Sequence, residues 1–165
     1  MKAEAGATCG KTLLRFSSPV GPLGIAEDGT GICDIFLFTT GAPAGMCEGT
    51  TPLLRGTVRQ LAEYFHGKRK TFSLPLSLRG TPFQQKDWSA LCSIPYGETR
   101  SYRQIAGQIG SPKASRAVGQ ANHRNPVMIL VPCHRVIAAD GTLGGYGGGL
   151  EMKRFLLHLE QEHSR

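Results

Sequence analysis

Ser101-Tyr102-Arg103-Gln104-Ile105-Ala106-Gly107-Gln108-Ile109-Gly110 and, after Ser111-Pro112, Ala114-Ser115-Arg116-Ala117-Val118-Gly119-Gln120-Ala121 decide how this chain is read. Ser101 supplies an N-cap, Tyr102, Ile105, Ala106 and Ile109 share a helical face, and Gly110 closes the turn. Ala114, Ala117, Val118 and Ala121 repeat the same period, so two short helices meet at a Gly-containing turn. Such a pair is either a helix-turn-helix, whose second helix normally meets DNA, or an αα-hairpin packed on a core; periodicity fits both. Ala114, Ala117, Gly119 and Ala121 would let the second helix approach another surface closely. Charge adds a sign: between Glu98 and Asp140 lie Arg100, Arg103, Lys113, Arg116, Arg124 and Arg135 with no acidic residue, a run able to contact several phosphates.

Downstream come Asn125-Pro126, the apolar run Val127 to Val131, and Pro132-Cys133-His134-Arg135-Val136. A free cysteine is commonly a small buried hydrophobe. Here an imidazole and a guanidinium follow it directly, the two kinds of group that raise the thiolate population of a nucleophile. A carboxylate orienting the imidazole would complete a Cys, His, acid relay, and Glu160 and Glu151 on the last helix are the candidates. Met152, Phe155, Leu156 and Leu159 mark the expected buried face of that helix. The loop Gly141 to Gly149 lacks the Lys-Ser/Thr ending of a P-loop and the dinucleotide-binding spacing. It suits close backbone approach to a flat ligand, with Tyr146 as a wall.

Upstream, Thr81-Pro82 starts a helix through Phe83, Trp88 and Leu91, ending before Ile94-Pro95-Tyr96-Gly97. Leu74 to Gly80 is the candidate linker to a first unit. That unit reads as an antiparallel meander (Leu13 to Phe16, Leu23 to Ala26, Ile32 to Leu37), a loop from Gly41 to Gly49, and a helix from Thr51-Pro52 closed by Gly67. His66 at that helix end reads as a surface residue. The expected class is therefore α+β, in two units spanning 1–80 and 81–165. The net charge of +7 over 165 residues favours a polyanionic partner, and no apolar run is long enough to cross a membrane. Met1 to Lys11 has no apolar core of a secretory signal. Five cysteines without Cys-x-x-Cys spacing favour neither a disulfide framework nor a zinc ribbon, and a reducing, intracellular setting fits them best.

Pro132-Cys133-His134-Arg135-Val136, with Arg116-Ala117-Val118-Gly119 and Asn125-Pro126 before it and Gly145-Tyr146-Gly147-Gly148-Gly149 after it, closely resembles the O6-alkylguanine-DNA alkyltransferases. The resemblance extends through Thr81-Pro82-Phe83-Gln84-Gln85, Ile94 to Thr99 and Ser101-Tyr102. It is looser over residues 1–80, through Ser18 to Leu23 and Leu61 to Gly67. It implies an RNase H-like N-terminal domain and a C-terminal helical domain with a winged helix-turn-helix. It further implies direct repair of double-stranded DNA containing O6-alkylguanine, and of O4-alkylthymine, by irreversible transfer of the alkyl group to Cys133. The work would be intracellular, in the cytoplasm of a prokaryote or the nucleus of a eukaryote. The protein would act as a monomer, with cooperative assembly on DNA open.

By matching position, Cys133, His134, Glu160, Tyr102 and Asn125 form the implied catalytic set. Arg116, the finger that replaces the flipped base, contacts DNA with Tyr102, Ser101, Ala117, Gly119, Arg124 and Arg135. Val136, Tyr146, Gly147, Gly148 and Met128 form the base pocket. The resemblance implies no organic cofactor and no activating metal. Some members carry a structural zinc, but only Cys9 and Cys33 lie near plausible ligand positions, so no metal is expected. The sequence departs from the family's pattern at Asp87, where an apolar residue is usual, and at Met128 and Gly147.

Overall fold

The computed structural model describes residues 9–165, so most of Met1 to Lys11, with the expectation placed on it, lies outside the described residues. Three strands, β1 (Lys11–Ser18), β2 (Gly21–Glu27) and β3 (Ile32–Leu37), form the expected meander. Gly21, at φ +112°, makes the β1–β2 turn, and Asp28 Oδ1 accepts from Thr30 N and Gly31 N in the β2–β3 turn. The stretch read as loop contains a fourth strand, β4 (Met46–Glu48), parallel to β1 in a sheet of order β3-β2-β1-β4. Three residues at a sheet edge carry no periodic signal of their own; pairing with β1 makes them a strand.

β4 also corrects the cysteine reading. Lying beside β1, it brings Cys47 to Cys9, and the two form a disulfide with Cα atoms 5.6 Å apart. An odd cysteine count concealed a pair that only parallel strand pairing brings together. Cys33 is buried, and its thiol donates to Ala26 O. Among the described residues no cluster of three or more His, Cys, Asp or Glu could hold a metal ion, and no helix is long and apolar enough to cross a membrane.

Helix α1 (Pro52–Phe65) starts as read, with Thr51 Oγ1 accepting from Leu54 N, and packs Leu54, Leu61, Tyr64 and Phe65 against the sheet. The segment read as a linker is packed: Ile32 N donates to Pro75 O, and Ser77 N donates to Ile32 O. It runs along the outer edge of β3, where a Cβ on Gly31 would lie 2.8 Å from the Pro75 carbonyl oxygen. Capping boxes start α2 (Pro82–Cys92) at Thr81 and α3 (Tyr102–Gln108) at Ser101. With α4 (Ser115–His123), α3 forms the helix-turn-helix. The short parallel pair β5 (Arg100–Ser101) and β6 (Val136–Ile137) joins the start of α3 to the chain after Cys133. Helix α5 (Leu150–Glu162) closes the fold.

One hydrophobic core runs through both halves, joining Ile25, Ile35, Leu61 and Tyr64 to Trp88, Ile105, Val118, Val131 and Leu156. Phe155, expected on the buried face of α5, is 38% exposed and meets only the edge of the core, at Phe65.

Candidate active site

The nucleophile candidate sits on a constrained turn. Between Val127 and Val131 the chain closes a loop with Val131 N donating to Val127 O, and Ile129 adopts φ +75°. That conformation is rare for a β-branched residue and costs about 1–3 kcal/mol, sustained here by the burial of Ile129 itself and of Val127, Leu130 and Val131 around it. Asn125 stitches the loop to the turn that follows. Its Oδ1 accepts from Val127 N at 3.0 Å, and its Nδ2 donates to Val131 O at 2.8 Å and to Cys133 Sγ at 3.3 Å. Cys133 opens a 3-10 turn (Cys133–Arg135) that presents its sulfur to the pocket and sends the next two side chains inward.

Those two meet Glu160 of α5, which decides between the acid candidates: Glu151 is exposed in the first turn of α5. His134 Nε2 lies 2.7 Å from Glu160 Oε1, while Arg135 donates through Nε to Oε2 and through a terminal nitrogen to Oε1, each at 2.9 Å. Tyr64 of α1 donates to the same Oε1 at 2.7 Å. Burial alone would raise the Glu160 carboxyl, but the His134 bond and the Arg135 charge hold it at about 2. Burial lowers His134 against the pull of Glu160, so the neutral ring donates Nε2–H to the carboxylate and keeps its lone pair on Nδ1. Nδ1 has no partner among the described residues. Cys133 is a thiol at rest, pushed up by burial to about 11 despite Asn125 and Lys153.

Lys153 is the residue that sequence reasoning missed. It is fully buried in α5, with its ammonium donating to Val136 O at 2.7 Å, to Gly145 O at 3.1 Å and to Leu143 O. It therefore pins the glycine loop to the strand that follows Cys133. Burial brings its pKa down to about 8, with Cys133 opposing. A lysine beside Met152 on an amphipathic helix signals a surface position; only the fold gathers three carbonyls around it.

A pocket of about 880 Å³ opens over Cys133, lined by Tyr102 of α3, by Arg116, Gly119 and Asn122 of α4, and by Gly144 to Gly147. Gly144, at φ +68°, must be glycine: a Cβ there would stand 2.5 Å from Tyr102 Oη. Arg116 and Arg124 are exposed at the mouth. Ser101 caps α3, and Ala117 is half-buried outside the pocket lining.

Three sequence expectations are corrected in placement. Arg135, expected among the DNA contacts, is 6% exposed, its guanidinium committed to Glu160 and to Ile94 O. Met128, expected at the base pocket, is half-buried against the core beside Val131 and is not among the residues lining the pocket over Cys133. Val136 and Gly148 lie behind the pocket wall: Val136 is fully buried with its carbonyl on Lys153, and Gly148 stands against Met152.

Two family models match in tandem. The ribonuclease-like domain of 6-O-methylguanine DNA methyltransferase covers residues 12–78, and its DNA-binding domain covers 82–162. The methylated-DNA–protein-cysteine methyltransferase of Methanosarcina barkeri is 48% identical over 153 residues, 90% of this chain and 96% of that one. The constitutive enzyme of that name from Bacillus subtilis is 52% identical over 151 residues, 87% and 92% of the two chains. Among solved structures, Mycobacterium tuberculosis OGT in complex with DNA superposes with a TM-score of 0.86 at 48% identity, covering 92% of this chain and 94% of that one. With both halves matched in order and the Cys133, His134, Glu160 arrangement in place, the chain belongs to the 6-O-methylguanine DNA methyltransferase family, that of the methylated-DNA–protein-cysteine methyltransferases.

Proposed function

We propose that this protein repairs double-stranded DNA directly, moving the alkyl group of O6-alkylguanine, and of O4-alkylthymine, onto Sγ of its own Cys133. The observation that carries this reading is a cysteine at the floor of a pocket whose rim is the second helix of a helix-turn-helix, backed by a buried His134–Glu160 pair. A thiol so placed is reached only by a group brought in from the DNA side. The base therefore leaves the stack: α4 enters the minor groove, Arg116 fills the vacated space, and the damaged nucleotide enters between Tyr102 and the Gly144–Gly147 loop. Unstacking costs a few kcal/mol, least for a poorly paired lesion.

Cys133 Sγ then displaces the base from the alkyl carbon. The new S–C bond forms as the C–O6 bond breaks, the thiol proton passes to His134 Nδ1 through a bridging water, and Glu160 stabilises the imidazolium. Tyr102 protonates the departing guanine. Asn125 holds the nucleophile's turn, and Tyr146 with Gly147 walls the base. The thioether product does not revert, so one molecule repairs one lesion. Peptide mass spectrometry after mixing the protein with a duplex carrying one O6-methylguanine tests this. One methyl on the Cys133 peptide, saturating at one per chain, is expected; DNA binding without any adduct would favour a lesion-binding protein without chemistry.

A further inference from the structure

The two oxygens of Glu160 are unequally loaded. An ionised carboxylate has about four lone-pair sites, two on each oxygen. Oε2 takes Arg135 Nε at 2.9 Å and Gly97 N at a long 3.4 Å. Oε1 takes three donors, His134 Nε2 and Tyr64 Oη at 2.7 Å each and the Arg135 terminal nitrogen at 2.9 Å. The Arg135 fork occupies one site on each oxygen, so His134 and Tyr64 share what remains of Oε1. Tyr64 comes from α1, in the half of the chain remote in sequence from Cys133.

Tyr64 is fixed in that contact. It is fully buried, with its ring edge-on to Phe65 and Tyr96 at centroid distances of 5.4 and 6.2 Å and tilted against Phe72 at 5.5 Å. Burial and the Glu160 charge hold the phenol well above its ordinary range, so it remains a donor. Tyr64 is not among the residues lining the pocket over Cys133, and the alkyl transfer described above gives it no part.

We propose that Tyr64 is a positioning residue for alkyl transfer: by sharing Oε1 with His134 it weakens the pull of the carboxylate on the imidazole, keeping the ring neutral and its Nδ1 open to the thiol proton. The inference rests on the alkyl-transfer reading, in which that nitrogen takes the proton. A donor on a carboxylate oxygen disperses its negative charge, and a less negative Oε1 stabilises an imidazolium less. Without the phenol, Glu160 would draw a proton onto the ring before the thiol could supply one. Tyr64 is uncharged, so it tempers Oε1 without repelling the imidazolium as a cation would.

The groups around the relay leave the titration to His134. Beside it on the 3-10 turn are Cys133 and Arg135, with Tyr96 after α2, Tyr146 on the glycine loop and Lys153 on α5; Lys70 lies 5.7 Å from the outer ring of Tyr96. The Cys133 thiol, at about 11, and the tyrosines, raised by burial, stay protonated in mild acid. Lys153, at about 8, stays charged there, and Glu160 stays ionised down to about 2.

Single-turnover methylation of Cys133 by saturating O6-methylguanine duplex, followed from pH 4.5 to 7.5 in the wild-type protein, in Tyr64→Phe and in protein carrying 3-fluorotyrosine at position 64, tests the proposal. Thermal melts confirm folding, and nitrogen-15 histidine resonances report the His134 titration directly. In Y64F the acid limb of the rate and the His134 midpoint should both move up by about 0.5–1 unit, making the variant about three- to tenfold slower than wild type below the limb and equal to it above. Fluorotyrosine, a stronger donor of nearly the same shape, should move both down, and it decides the matter alone if Y64F does not fold. A Y64F rate reduced by one factor at every pH, or a His134 midpoint indifferent to both replacements, would overturn the proposal. Absence of methylation at every pH in the wild type would instead overturn the alkyl-transfer reading, while the histidine resonances still decide whether Tyr64 tempers the relay.

Discussion

Glu160 carries five hydrogen bonds from four residues of three distant segments, Tyr64, Gly97 and the His134–Arg135 turn, so its charge is both structural and chemical. Its depressed pKa contributes stability that is present above the ordinary carboxyl range and is lost as pH falls toward about 2. Glu160→Gln removes that pH dependence and leaves the Arg135 guanidinium buried without a counter-charge, a loss of about 3–5 kcal/mol by chemical denaturation. Methyl transfer should slow by about 10²- to 10³-fold in the folded fraction, because the imidazolium loses its partner. Unchanged kinetics would remove Glu160 from the relay. Asp87 has the opposite sign. Its raised pKa gives stability that is full below the unfolded value and declines as pH rises through about 7. Asp87→Val should therefore stabilise the fold by about 2–4 kcal/mol more at pH 8 than at pH 4, measured as the difference between denaturation curves. Equal gains at the two pH values would show that burial does not hold this carboxyl up.

Element by element, the chain is legible where local chemistry sets the outcome. Thr81 and Ser101 were readable as caps because a hydroxyl ahead of Pro or of a helical period has few other uses, and both now make reciprocal capping boxes. Replacing either by alanine should cost about 1 kcal/mol, seen as a fall of roughly 2–4 °C in Tm. Ser101→Ala adds a discrimination: if Ser101 also contacts DNA, affinity falls beyond what the lost cap explains. The 3-10 turn was legible as chemistry, since Cys, His and Arg in succession point to a nucleophile, but not as geometry. Sequence could not show that Arg135 turns inward to Glu160 or that Ile129 takes a left-handed conformation. β4, the Cys9–Cys47 bond and the docking of Pro75 and Ser77 on β3 were equally hidden, because each is made by a partner remote in sequence. Lys153 belongs with them. Lys153→Met keeps the aliphatic stem and removes the donor from three carbonyls, so a loss of about 2–4 kcal/mol and faster proteolysis within residues 141–149 are expected. An unaltered loop would mean that the glycines hold themselves.

At the scale of the whole molecule, net charge overstates the DNA footprint, and the fold says by how much. Of the six cations in the acid-free stretch, Arg135 is buried on Glu160, and Arg100 is half-buried with its guanidinium 3.7 Å from Glu98. Arg103, Lys113, Arg116 and Arg124 remain exposed, and of these Arg116 and Arg124 line the pocket. Four neutralised phosphates give a slope of about −3.6 in a plot of log binding constant against log salt concentration for duplex DNA. Each alanine substitution among those four should reduce the slope by about 0.9. Arg59→Ala supplies the control: it is equally exposed but sits on α1, paired with Glu63, away from the helix-turn-helix. Titrations of a fluorescent duplex at several salt concentrations would resolve these differences. A flat salt response, or an Arg59→Ala slope that changes as much as that of Arg116→Ala, would move the DNA off α4. A graded loss confined to the four exposed cations would instead tie the basic charge of the chain to the mouth of the Cys133 pocket.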